Sequence, residues 1–419
     1  MKIIGIEDEN ENKKNKKGNI RAKIESLKTG KNMNKKKVLI ASIVLLIILI
    51  FIILIAVYAG NKSFRDVIDK YVLMKNVIED STTSIELNED ESSNVFAYDK
   101  YICVLSKNTL KNYNSSGKIE GQLNIEITSP IIATNGKFVL IGEKDKSKLY
   151  LVSGNEIIWQ KELEGNIDKM TVNKNGYVAV ILSGTTYKSV IETYDATGTK
   201  LFKTYLRSTI AMDADISLDN QYLAFTEINT SGTAIQSTVK IISIQNAKQK
   251  DSEKSSADDP IIYKYVEPNG NWITNVKYQE GNRLVCMYDN GIYVIKNENN
   301  ELLVSLVEDG KKISFGDIEL NNYVFRVIEK SSILSSETTV EIINSSNKKT
   351  SIYTIDSVPR EVYSYNNIIA VNLGSEVHFI STNGWLIKKY ISNQEVKKIV
   401  INNNFAGIVY RNKIEIVNM

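Results

Sequence analysis

One histidine, His378, and two cysteines, Cys103 and Cys286, are the chain's whole supply of the residue types on which most metal centres and nucleophilic triads depend. With so few, a hydrolytic metal centre is not expected. The sequence has no G-x-S-x-G elbow, no G-x-x-x-x-G-K-[ST] loop, no H-E-x-x-H and no C-x-x-C. "MDADISLDN" brings Asp213, Asp215 and Asp219 close together, as a calcium loop would. It lacks the glycine at the sharp turn and the distal glutamate, so it reads as a solvated hairpin. The residues left are ones that recognise a ligand without reacting with it. Lys144, Lys146, Tyr187, Arg207 and Trp272 are the candidate binding residues, and no catalytic residue, metal or cofactor is expected.

These residues have to be positioned by strands. From Ser84 onward the apolar runs are short, alternate with period two, and are separated by Asn, Gly, Asp and Ser. One hairpin recurs as "IIATNGKFVLIG", "MTVNKNGYVAVIL", "ISLDNQYLAFTE" and "VKYQEGNRLVCMY". A second follows it, as in "IETYDATGTKLFKTYL" and "VHFISTNGWLIKKYI". Two hairpins make a four-stranded unit that cannot cover both its faces alone, so the units must stack around an axis as a β-propeller. Seven complete units span 93–127, 128–163, 167–205, 210–266, 272–306, 311–354 and 359–391. The carboxy-terminal stretch supplies three further strands, and residues 82–88 an orphan strand that completes an eighth blade. The fold class is therefore all-β, an eight-bladed propeller, with seven blades as the alternative if the degenerate first unit is irregular.

In such a ring Cys103 and Cys286 fall on second strands of opposite blades, far beyond the reach of a disulfide, and should be buried free thiols. His378 lies on the third strand of blade seven and reads as a surface or inter-blade residue. Recognition belongs to the loops joining second to third strands and one blade to the next, which share one rim. There "EKDKS", "SGTTYK", "NTSGTAIQ" and "EKSSILSSE" project. The segment 245–260 sits on the other rim and reads as a disordered flap.

Ahead of the strands, residues 38–59 form an uncharged apolar run long enough to cross a bilayer as a helix. Val57 and Ala59 would suit a cleaved signal peptide, but the run exceeds the usual span of about 7 to 15 residues and its preceding tail is long. The first 37 residues carry twelve basic and five acidic side chains, about +7, which places the amino terminus inside and the C-terminal domain extracytoplasmic at the plasma membrane. Against a formal net charge of +3 for the chain, the rest is about −4, so no nucleic-acid partner is expected. Residues 60–80 carry Phe64, Val67, Ile68, Tyr71, Val72 and Ile78 at helical spacing. That stretch reads as a juxtamembrane amphipathic stalk through which a homodimer could form, with residues 81–419 as the outer domain.

"ISLDNQYLAF", residues 216–225, resembles the Ser-Pro-Asp-Gly-x-x-Leu-Ala-Phe hairpin of TolB-like and WD40-like propeller repeats, with Leu218 in place of Pro and Asn220 in place of Gly. The other blades are similar to quinoprotein-like propellers in periodicity. The layout as a whole resembles an uncharacterised family of clostridial single-pass membrane proteins. That resemblance implies localisation and fold and brings no catalytic motif. The reading is a non-enzymatic binding or scaffold module whose partners are the lipid bilayer, through residues 38–59, and a protein or cell-envelope ligand. The alternative is a propeller enzyme acting on an envelope glycan or using a quinone-type cofactor in the channel. The positions of Trp159, Trp272 and Trp385 argue against a cofactor stack.

Overall fold

The computed structural model describes residues 35–60, 64, 68, 72, 78–79, 83–88, 91, 94–106, 108–232, 234–252, 260–296, 299–331 and 336–419. It divides into two units, one up to Met74 and one from Lys75 to Met419.

In the first unit, helix α1 (Lys35–Gly60) contains an apolar span of 22 residues, Leu39–Gly60, with a mean hydropathy of 3.6 and no buried face. At about 1.5 Å per residue that span is about 33 Å long, enough to cross a hydrocarbon layer. Of the expected tail, residues 1–34 lie outside the described residues. Most of the stalk does too, although Phe64 and Ile68 are helical.

The second unit begins earlier than expected and in a different conformation. Ile78–Glu79 is not helical. It is a short strand, Ile78 paired in parallel with Lys389 and Glu79 with Tyr390, and it covers the outer edge of blade seven. An uncovered sheet edge offers unpaired backbone groups, and these compete with helix formation in an adjacent β-branched segment.

The strands form eight antiparallel sheets of four, with that extra strand on one of them. Seven blades are contiguous, at 95–124, 130–162, 166–206, 209–266, 273–305, 312–355 and 361–391. The eighth takes Lys398–Ile401, Phe405–Val409 and Lys413–Asn418 and adds Thr83–Glu86 as its fourth strand, in the register Thr83 to Ile416, Ile85 to Ile414 and Glu86 to Lys413. Blade one, the unit suspected of irregularity, is a complete four-stranded sheet. First strands of most neighbouring blades touch one another, which places them innermost around the axis.

Eight hydrophobic clusters hold the ring together, one in each seam between neighbouring blades. In the seam between blades eight and one, the closing strand contributes Ile85, followed by Leu87, beside Val95, Phe405 and Ile416. The recurrence of the second hairpin has a packing cause. Its turn glycine presses on the outer strand of the preceding blade at positive φ: a Cβ on Gly198 would lie 2.7 Å from the Trp159 ring, and one on Gly384 2.6 Å from the Ile352 carbonyl. Gly117 of blade one meets Thr83 of the closing strand in the same way.

Two local readings need correction. Ile244–Ser252, expected as part of a disordered flap, is helix α2. Its Ile244 and Ala247 are buried in the cluster shared by blades three and four. "MDADISLDN" is not a solvated hairpin throughout. Asp213 and Asp215 are buried on the first strand of blade four, and only Asp219 lies in the turn. Cys103 and Cys286 are both buried and unpaired. His378 is an inter-blade residue, its Nδ1 hydrogen-bonded to the Tyr353 hydroxyl at 2.9 Å, and burial pushes its pKa down.

Candidate functional site

The innermost strands place alternate side chains toward the axis, and on blades three to six many of these are charged. Lys169 and Thr171 come from blade three, Asp213 and Asp215 from blade four, Lys277 from blade five, and Asp317 and Glu319 from the end of blade six's first strand and the residues just past it. Each innermost strand has a free edge, and in blade five the carboxylates of blade four cover it. Asp213 Oδ2 accepts the Val276 N–H at 2.9 Å, and Asp215 Oδ2 accepts the Tyr278 N–H at 2.7 Å. Their other oxygens are also engaged: Lys169 Nζ lies 2.9 Å from Asp213 Oδ1, and the Thr171 hydroxyl donates to Asp215 Oδ1 at 3.2 Å. Farther round, Lys277 Nζ pairs with Glu319 Oε2 at 3.0 Å, and the Glu319 N–H donates to Asp317 Oδ1 at 2.6 Å.

Burial governs the electrostatics. It raises the Asp213 carboxyl above its ordinary value against the pull of Lys169, and lifts Asp215 to about 6 against Lys277 and the Tyr278 amide. Asp317 also rises to about 6, by burial and by the neighbouring Glu319 charge. For Lys277 burial works downward, but Glu319, Asp215 and Asp213 outweigh it and hold the ammonium above its usual value.

On the other side of the axis a cavity of about 390 Å³ is walled by first strands of blades six, seven, eight, one and two. Asp317 and Glu319 line it together with Thr134, Ser364, Lys398 and apolar residues such as Val362 and Val400. Lys398 Nζ donates to the Val95 carbonyl at 2.7 Å, and among the described residues no carboxylate pairs with it, so burial lowers its pKa. The Ser364 hydroxyl is hidden from solvent beside Asp317, without a completed hydrogen bond.

The residues expected from sequence lie elsewhere, on the rim of second-to-third-strand loops. Lys144 and Lys146 come together on one wall. Lys144 lines a cleft of about 840 Å³ with Glu91, Asn88, Ser106 and Asn108, and Lys146 lines an adjoining cleft of about 390 Å³ with Glu126, Glu143 and Glu162. The clefts share Asn108, Ile127 and Thr128. Buried Glu143 accepts Lys146 Nζ at 2.7 Å and the Thr128 hydroxyl at 2.8 Å. Burial alone would raise its pKa, but these donors hold it below the usual carboxylate range. Tyr187 and Arg207 also meet: the guanidinium lies 5.9 Å over the Tyr187 ring, whose centroid is 4.7 Å from that of half-exposed Tyr205. Trp272 stands apart at the start of blade five, exposed, its backbone N–H donating to Asp289 Oδ1 at 3.2 Å.

The channel charges escaped the sequence reading, though a signal existed. Asp213 and Asp215, Lys169 and Thr171, and Asp317 and Glu319 are polar residues at alternate positions in or just past the first strand of a unit, where a two-sided buried strand would carry apolar ones. The three tryptophans take no part: Trp159 is on an outer strand, Trp272 precedes a strand and Trp385 lies in a turn.

A family model described as "Family of unknown function (DUF5711)" matches residues 75–419. No curated protein matches the chain. Among solved structures, hydrazine synthase of Kuenenia stuttgartiensis is similar at 11% identity and a TM-score of 0.43, over 80% of this chain and 97% of that one. Raptor of Chaetomium thermophilum is similar at 10% identity and a TM-score of 0.46, over 85% of this chain and 31% of that one. AztD of Citrobacter koseri is similar at 9% identity and a TM-score of 0.46, over 73% of this chain and 88% of that one.

Proposed function

We propose a binding role for this chain, which belongs to the DUF5711 family of unknown function: a membrane-anchored, non-enzymatic propeller that holds a protein or a cell-envelope polymer outside the cell. The apolar helix Leu39–Gly60 supports the anchor, and the basic tail supports an inside amino terminus at the plasma membrane. The observation that carries the ligand-binding part is the pair of adjoining clefts on one rim. Their combined wall presents the ammonium groups of Lys144 and Lys146 among amides, hydroxyls and carboxylates, the mixture that recognises a polar polymer or a polar protein surface. Tyr187, Tyr205 and Arg207 extend that rim with the residue types that anchor interfaces.

The test is co-sedimentation of the full chain, in detergent micelles, with isolated cell-envelope fragments. Lys144→Glu together with Lys146→Glu should cut retention at least tenfold, whereas Lys200→Glu, on the opposite rim, should leave it unchanged. Equal retention of the two variants would refute the rim reading. Protease added to intact cells should digest the propeller and spare the tail; the reverse pattern would overturn the topology.

A second reading, an enzyme working on an envelope glycan in the channel, is favoured by one observation. Asp317 and Glu319 are neighbouring carboxyls, and Asp317 titrates near 6, as a general acid would. The involvement of Glu319 in an ion pair with Lys277 makes it the weaker reading.

A further inference from the structure

The channel cavity contains charges of both signs that do not pair across it: Glu319 is held by Lys277, and Lys398 has no carboxylate partner among the described residues. Asp317 and Glu319 stand on the blade-six wall and Lys398 on blade eight, with Ser364 of blade seven, Thr134 of blade two and Ala97 of blade one completing the circuit. Asp317 takes the Glu319 N–H on Oδ1 and has the Ser364 hydroxyl beside it, and both side chains line the cavity. Lys398 has one carbonyl partner and three donor hydrogens, and no described carboxylate lies within ion-pair distance of it.

A half-buried ammonium without a counter-charge is costly, and a bound anion would offset that cost. A simple anion, however, would also meet the two carboxylates lining the same space, and a simple cation attracted to Asp317 would meet Lys398. A ligand carrying both charges, with a short apolar body between them for Val362 and Val400, complements the lining in both sign and polarity. The volume of about 390 Å³ lies within the range of small-ligand pockets, roughly 300–1,000 Å³.

We propose that this cavity binds a small zwitterion of the amino-acid or dipeptide class, with its ammonium on Asp317, beside the Lys277-paired Glu319, and its carboxylate on Lys398. The site is separate from the rim clefts and stands or falls independently of them.

Isothermal titration of the full chain in detergent micelles tests the assignment, using L-alanine, L-alanyl-L-alanine, its N-acetyl form, which lacks the ammonium, and its amide, which lacks the carboxylate. Saturable binding of L-alanine or the dipeptide is expected, with the dipeptide at least tenfold tighter than either capped form. Lys398→Met should bring the dipeptide down to the affinity of the amide, and Asp317→Asn should bring it down to that of the N-acetyl form. Lys398→Arg, which keeps the charge, should retain the preference for a free carboxylate, and melting curves should show each variant folded. Equal binding of all forms, no binding of either zwitterion, or preferences that survive both charge-removing variants would overturn the proposal.

Discussion

Asp215, on the channel wall built by blades three to six, has a donor for each carboxylate oxygen, whereas Lys398, on the wall built by blades seven, eight, one and two, has one backbone carbonyl and no counter-charge. Both groups are charged residues on innermost strands, and both have pKa values shifted by burial. The difference shows that a perturbed pKa does not by itself mark a site. On the first wall Asp213 and Asp215 replace the strand partner that an innermost edge lacks, so their charge is part of the framework. On the second wall the charge is left over, which is the condition under which a ligand becomes the missing partner.

The sharpest way to break this contrast is to open the ring. Deleting residues 83–88 removes the fourth strand of the blade that carries Lys398, together with buried Ile85 and Leu87, each worth about 1.5–3 kcal/mol. With the lost ladder bonds, the melting temperature should fall by roughly 10 °C or more. Unchanged melting would show that closure is not structural.

Next in size, Asp215→Ala should cost about 2–4 kcal/mol, because it strands the Tyr278 N–H and removes one of the charges that stabilise Lys277. Lys398→Met should do the opposite and stabilise the protein by about 1–2 kcal/mol, since the ammonium it removes is uncompensated. Denaturant titration reads both, and a destabilised Lys398→Met would remove the distinction between the walls.

A smaller effect lies in pH. Asp215 and Asp317 have folded values near 6, above the unfolded carboxylate value, so the folded state binds their protons first. Their contribution to stability is therefore gained as pH falls through about 6 towards 4 and is absent above that window. His378, lowered by burial, acts in the opposite direction below its unfolded value of 6.5. The difference between the native chain and Asp215→Asn isolates the effect: the native chain should gain about 1 kcal/mol relative to the variant between pH 7 and pH 5. The smallest effect is expected from the thiols. Burial raises the pKa of both Cys103 and Cys286, so a thiol reagent at neutral pH should label neither in the folded protein and both after denaturation.

The ring was legible in the sequence, because alternation and turn residues mark each hairpin and the imbalance of strands at the two ends points to Thr83–Glu86 as the closing strand. The channel was less legible. Period two says that Asp213 and Asp215 share a pleat with each other, but which pleat faces the axis is decided by how the blades stack, and the following Ser217–Asn220 turn invited a solvated reading of the whole stretch. Helix α2 was hidden for a different reason. Only Ile244 and Ala247 secure it among polar neighbours, too few for a helical period to stand out. Lys144 with Lys146 and Tyr187 with Arg207 could be found as pairs because loop position is fixed by strand order. Trp272 could not be joined to them, since its distance across the ring depends on blade geometry.

The pairing of Thr83–Glu86 with Lys413–Asn418 also sets a clock on biosynthesis. Some 330 residues separate the partners, so at translation rates of about 5–20 residues per second the first waits on the order of half a minute for the second to emerge. During that interval the nascent barrel is a crescent with two bare flanks, and a neighbouring nascent copy could lend its tail to either one. A chain without Lys413–Asn418 would leave Thr83–Glu86 unpaired and the crescent open.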